Sequence, residues 1–150
     1  HLVKVDIEQF FTDLSEEDDT MVRKTVRDGD ASYCKTIKRD TDVVSERITT
    51  SRRISDKEYY ELLDSTTDKP IRKARYCFTY NNQYYKLDIF EEPMGMIILE
   101  TELTNASKRL EIPDFLTVKK EITDDKDYRN VNIYSKINKK YKNLKKIKNN

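Results

Sequence analysis

The chain has 150 residues, 36% hydrophobic and 38% charged, with 10 Tyr and 5 Phe spread along it. That is enough for one domain with a real core, and too aromatic for a disordered segment. No apolar run approaches the roughly 20 residues that a membrane-spanning helix needs, and no signal peptide is visible, so a cytoplasmic protein is expected. The net charge of +1 hides a split: seven Lys and no acid lie in positions 134–150, which leaves 22 of the 29 basic residues facing 28 acidic ones in positions 1–133. The body is acidic and the tail basic.

The first segment, LVKVDIEQFF, alternates as a strand should, with Val3, Val5 and Ile7 on one face and Lys4, Asp6 and Glu8 on the other. His1 in place of Met reads as a fragment or a tag remnant. Residues 14–20 read as an acidic loop, and 21–27 as a strand. Asp28-Gly29-Asp30 is a strong hairpin signal, returning into ASYCKTIKR. Residues 43–54 alternate again.

Ser55 and Glu58 form an S-x-x-E capping box, opening a helix with Tyr59, Leu62 and Leu63 on its apolar stripe and ending near Asp64. Only two Gly and three Pro are present, so tight turns must rest on Asn and Asp, as at Asn81-Asn82. Cys34 and Cys77 sit in strand-like segments without metal-ligand spacing and read as reduced lining residues.

Residues 71–103, IRKARYCFTYNNQYYKLDIFEEPMGMIILETEL, hold three alternating strands. Lys73 and Arg75 are two apart, as are Glu100 and Glu102, so each pair shares a strand face, and Asp88 lies between them in YYKLDIF. NASKRLEIPDFL reads as a short helical excursion and TVKKEIT as a last strand, after which Thr123 is expected to cap a short helix reaching Tyr128. From Val131 the period changes: Ile133, Ile137, Tyr141, Leu144 and Ile147 trace one helix face among lysines. About eight strands in hairpins, without βαβ alternation, favour a mainly β (α+β) fold, an antiparallel barrel with a few flanking helices. The barrel is expected over 1–133, and a basic amphipathic helix or tail over 134–150.

This succession resembles the CYTH domains of the triphosphate tunnel metalloenzymes. The residues that carry it are Thr36-Ile37-Lys38, Arg47 ahead of Ile54, Lys73-Ala74-Arg75-Tyr76, Leu87-Asp88-Ile89-Phe90, the run from Gly95 to ETEL, and Glu121-Ile122-Thr123 followed by Tyr128 and Asn130. The resemblance implies a closed eight-stranded antiparallel barrel whose lumen binds triphosphate and a divalent metal. The pieces GDASYCKTIKR, RYCFTYNNQYYKLDIFEEP and IPDFLTVKKEITDDKDY are also similar to the C-terminal domain of the translocation-defect proteins first associated with the TRP-like channel. That kinship implies an upstream P-loop domain and nucleotide or phosphoinositide binding.

The family's E-x-E-x-K falls on Asp6, Glu8 and Phe10, and its R-x-E-x-E on Arg47, Thr49 and Ser51. A cation and three carboxylate positions are thereby lost or shortened.

A triphosphate carries about four negative charges at neutral pH and calls for fixed cations, with Arg as a bidentate fork and Lys as a point charge. Arg23, Lys38, Arg47, Lys73, Arg75 and Lys119 are the expected phosphate ligands. Mg²⁺ or Mn²⁺, hard cations that prefer carboxylates, would take Asp6, Glu8, Glu100, Glu102 and Glu121. Glu100, Glu102 and Asp88 are the expected catalytic groups, with a buried ion pair to Lys73 or Arg75 an equal reading for Asp88.

The leading reading is a domain that binds tripolyphosphate or a nucleoside triphosphate with a divalent metal and hydrolyses it. A non-catalytic nucleotide or phosphoinositide sensor is the alternative, and an RNA 5′-triphosphatase a third. The basic tail suits anionic lipid headgroups; no DNA partner is expected.

Overall fold

The alternating segments join one antiparallel sheet in the computed structural model, which describes residues 2–14, 18–40, 47–103 and 110–149. The strands are β1 (Leu2–Leu14), β2 (Asp18–Arg27), β3 (Asp30–Asp40), β4 (Arg47–Arg53), β5 (Ile71–Tyr80), β6 (Gln83–Glu92) and β7 (Ile97–Thr101), in spatial order β4-β3-β2-β1-β5-β6-β7. Two tight hairpins rest on residues that tolerate positive φ: Asp28 (51°) with Gly29 (81°), and Asn81 (48°) with Asn82 (59°). Positive φ at both central positions is what a type I′ turn requires, and its twist matches that of the flanking strands.

The expected closed, eight-stranded barrel is corrected on both counts. Strands number seven among the described residues, and the sheet is open, with β4 and β7 at its edges. The absent strand is TVKKEIT at 117–123, which runs without strand pairing into a turn. Its alternation offers only Val118 and Ile122 for burial, and Val118 stays 51% exposed. So little apolar area does not offset the cost of ordering a strand. Of the helical excursion expected over 105–116, residues 105–109 lie outside the described residues, and the rest shows only a turn at Asp114 and Phe115. Residues 15–17 and 43–46 also lie outside the described residues.

Ser55 caps α1 (Asp56–Asp64) as expected, its Oγ accepting the Glu58 backbone N–H at 3.0 Å. The Glu58 carboxylate instead meets Arg52 of β4 at 2.9 Å. Tyr59, fully buried, packs its ring on Phe10 and Tyr33 at centroid distances of 5.6 and 5.0 Å. A single 3₁₀ turn, Lys126–Tyr128, follows, capped by Asp125 rather than by Thr123: the Asp125 carboxylate accepts the Asp127 backbone N–H at 3.1 Å. A carboxylate is a stronger N-cap acceptor there than the hydroxyl two residues earlier.

The last helix, α2 (Asn130–Asn149), runs unbroken across the expected boundary at 133/134. Its first turns belong to the core. Ile133 and Tyr134 are buried, the Tyr134 ring lies 5.3 Å from Phe11, and its hydroxyl donates to Asp68 at 2.7 Å. Asn138 clamps the approach to β5, its Oδ1 accepting the Lys69 N–H at 2.6 Å while its Nδ2 donates to the Lys69 carbonyl at 3.1 Å. No helix among the described residues is long and apolar enough to cross a membrane.

Directly opposed residues of an antiparallel pair share a face, so the register sorts the side chains. Phe10 faces Val22, and Glu8 faces both Lys24 and Arg72, on the side where α1 packs. Gln9 faces Arg23 and Ile71, Ile7 faces Lys73, and Val5 faces Arg75, on the side where α2 packs. The first is the outer face below, the second the inner face.

Candidate functional site

Three strands bring a charged group to the buried middle of the inner face. Arg75 on β5 is directly opposite Asp88 on β6, with Lys73 one inner position along. Asp88 Oδ1 accepts from Arg75 Nε at 2.8 Å, Oδ2 accepts from Arg75 Nη2 at 2.9 Å, and Lys73 Nζ lies 2.9 Å from the same Oδ2. Lys73 Nζ also donates to Asn130 of α2 at 3.4 Å and sits 5.1 Å above the Phe90 ring. Arg23 enters from β2, donating through Nε and Nη2 to Gln9 Oε1 at 2.9 and 2.6 Å. Gln9 is fully buried, and Lys73 and Asp88 nearly so.

Three cations stand against one buried carboxylate, with the exposed Glu100 adding a weaker pull on Arg75, and the titration shifts follow burial and hydrogen bonding first and neighbouring charges second. Burial drives the Lys73 ammonium down to about 8 against the pull of Asp88. Burial and then repulsion from Arg75 lower Arg23. Hydrogen bonding to Asp88 raises Arg75. For Asp88, burial pushes the carboxyl up, but the hydrogen bond from Arg75 and the Lys73 ammonium outweigh it and hold the group below the usual carboxylate range.

Each guanidinium is held along one edge, Arg75 by Asp88 and Arg23 by Gln9, and among the described residues its remaining N–H groups meet no further side-chain acceptor. Asp88 is therefore an anchoring carboxylate. Both its oxygens are engaged, which is the ion-pair reading of the two expected for it.

Among the expected phosphate ligands, the fold thus unites Arg23, Lys73 and Arg75. Lys38 shares their face by register, opposite Asp19 and Thr49, but is exposed. Arg47 opens β4 in the same phase, opposite Asp40. Lys119 is exposed in the strand-free 117–122 segment.

The carboxylates do not gather. Asp6 and Glu8, expected to face the cations, belong to the outer face, and that expectation is corrected: Glu8 accepts from Tyr59 Oη at 2.6 Å and from Arg72 Nε at 2.9 Å. The inner positions of that stretch are Ile7, Gln9 and Phe11, so the acidic pattern is one residue out of phase with the cations. Glu100 lies opposite Lys86 on the inner face but is exposed. Glu102 follows the end of β7, and Glu121 accepts from Thr123 in the strand-free segment. Among the described residues no three His, Cys, Asp or Glu side chains come together to hold a metal. The expected ligands therefore do not fit a Mg²⁺ or Mn²⁺ centre built by the protein alone.

Gln9 is the site residue that sequence reasoning missed, and Asn130, named among the residues that carry the resemblance, was given no role. For Gln9 a signal existed: it is the lone polar residue in the phase of Val3, Val5 and Ile7. Asn130 reaches Lys73 through the placement of α2, which no local pattern encodes.

No family model and no curated protein matches the chain. Among solved structures it is similar to the inorganic triphosphatase NE1496, at a TM-score of 0.68 and 19% identity over 89% of this chain and 84% of that one. A second structure, of the hypothetical protein NE1496, aligns at a TM-score of 0.66 and 20% identity, covering 89% and 87%. The likeness is one of fold.

Proposed function

We propose that this chain binds a compact polyphosphate, tripolyphosphate or the triphosphate of a nucleotide, on the inner face of its sheet. The observation that carries the reading is the set of buried Lys73 and half-buried Arg23 and Arg75 around one buried carboxylate, Asp88. A phosphate chain supplies the missing negative charge, and its oxygens match the free guanidinium edges and the ammonium. Asp88 and Gln9 hold the donors in place before the ligand arrives, which lowers the ordering cost of binding. The fold shared with a protein described as an inorganic triphosphatase supports the same ligand class.

Isothermal titration calorimetry with tripolyphosphate, ATP and GTP tests the reading, with Arg75→Ala and Arg23→Ala as variants. Micromolar or tighter binding by the wild-type chain, lost by tenfold or more in each variant, is the expected result. Heat-free titrations with all three ligands would sink it.

Hydrolysis is the second reading, favoured by Glu100 on the inner face beside Lys86. Phosphate release from tripolyphosphate with Mg²⁺ or Mn²⁺, abolished in Glu100→Gln, would establish it. Kinship with the translocation-defect proteins, an upstream nucleotide-binding domain and a lipid contact through α2 belong to the proposal as its wider setting. They add no residue to the site.

A further inference from the structure

Gln9 is fully buried, and its Nε2 is the one buried side-chain polar atom among the described residues with no hydrogen-bond partner. The orientation of the amide is fixed. Its Oε1 accepts two N–H groups of Arg23, and the reverse placement would set the NH₂ against a guanidinium, donor against donor. The orphan is therefore a donor, and leaving it unmade is costly in a buried site.

Its neighbours on the inner face supply no acceptor. Arg23 and Ile71 lie directly across, and Ile7 and Phe11 precede and follow it on β1. A cation cannot satisfy the group either, because an NH₂ does not coordinate metal and the amide oxygen is already occupied. What fits is an oxygen carrying negative charge, beside a cluster in which Arg23, Lys73 and Arg75 stand against Asp88.

We infer that Gln9 Nε2 donates directly to a phosphoryl oxygen, and that the inner face takes a polyphosphate with protein donors alone, without a divalent cation held by the chain. This rests on the polyphosphate reading and deepens it. Arg23 is shared between Gln9 and the ligand, so Gln9 acts twice, through its oxygen as the anchor of a guanidinium and through its nitrogen as a ligand contact. The phase of β1 gives the same picture from the sequence side. Where the inner face could have carried a carboxylate for a metal, the chain carries Ile7, Gln9 and Phe11.

The test is calorimetric titration of tripolyphosphate into the whole chain, once in EDTA and once in Mg²⁺, for the wild type, Gln9→Glu and Gln9→Met. Gln9→Glu keeps an acceptor for Arg23, so the fold persists, while it replaces the donor by a repelling oxygen. Melting curves check that both variants are folded. In EDTA the wild type should bind within about threefold of its affinity in Mg²⁺, and Gln9→Glu should lose about tenfold or more, the weight of a hydrogen bond to a charged group. Gln9→Met should lose roughly fivefold.

Equal binding by all three chains would mean that a buried water satisfies the amide, and would overturn the inference while leaving the polyphosphate reading intact. Wild-type binding abolished by EDTA would overturn the cation-free part. No binding by the wild type under either condition would remove both.

Discussion

On the outer face Arg72 and Glu8 meet at 2.9 Å, with side chains 52% and 20% exposed; on the inner face Lys73 and Asp88 meet at the same distance, with side chains 1% and 9% exposed. Distance alone would rank the two pairs equal. Water decides otherwise, because an exposed pair is screened and already well solvated when apart, whereas a buried pair has given up its solvation and depends on its partner. The outer pair can be lost quietly. The inner cluster cannot lose Asp88 in that way, since its removal strands two cations.

The largest expected effect follows from that asymmetry. Asp88→Ala leaves the buried Lys73 and the half-buried Arg75 without their ion-pair partner, and should cost about 3–5 kcal/mol of stability in a denaturant titration. A loss under about 1 kcal/mol would mean that water reaches the cluster freely, and the contrast between the faces would fail.

The same contrast sets what could be read before folding. The shared face of Lys73 and Arg75 was legible because strand alternation is a strict period of two, whereas Asp88 joins them only through the pairing of β5 with β6. The helix after Ser55 was equally legible, since its cap and stripe are local. Asp6 and Glu8 were placed on the wrong side because alternation gives the phase within a strand but not which phase meets the interior. That choice is made by packing, where Phe10 joins Tyr59 on one side and Phe11 joins Tyr134 on the other. The eighth strand failed for a related reason: a strand-like period in TVKKEIT did not supply enough apolar area to hold it. Tyr134, off the expected helix stripe, is buried because α2 meets the sheet at its first turns.

An intermediate effect concerns pH. The buried Lys73 ammonium titrates near 8 in the folded chain against an ordinary 10.5, so between those values the unfolded chain binds more protons. Stability contributed by this group therefore rises with pH across that window. Polyphosphate affinity should move the other way, because the ligand needs the ammonium charged. From pH 7 to pH 9 the loss should be about tenfold by linkage if the bound form keeps its proton. Lys73→Met should bind more weakly throughout and flatten the profile. An affinity unchanged between pH 7 and pH 9 would place the ligand away from Lys73. Stability is best compared below about pH 10, since Tyr59 and Tyr134, both raised by burial and by hydrogen bonds to carboxylates, begin to act in the opposite sense above their ordinary value.

The smallest expected effect falls on the outer face. Arg72→Ala removes a cation from Glu8, but Glu8 keeps the Tyr59 hydroxyl at 2.6 Å and access to water. The change in stability should stay within about 0.5 kcal/mol and shrink further in high salt, where exposed pairs are screened. Tripolyphosphate binding should match the wild type, because Arg72 points away from Lys73 although the two are adjacent in sequence. Adjacency and opposite outcome are the point of the experiment. If Arg72→Ala weakened binding as much as Arg75→Ala, the ligand would sit on the outer face, and the inner cluster would be a buried ion network serving the fold alone.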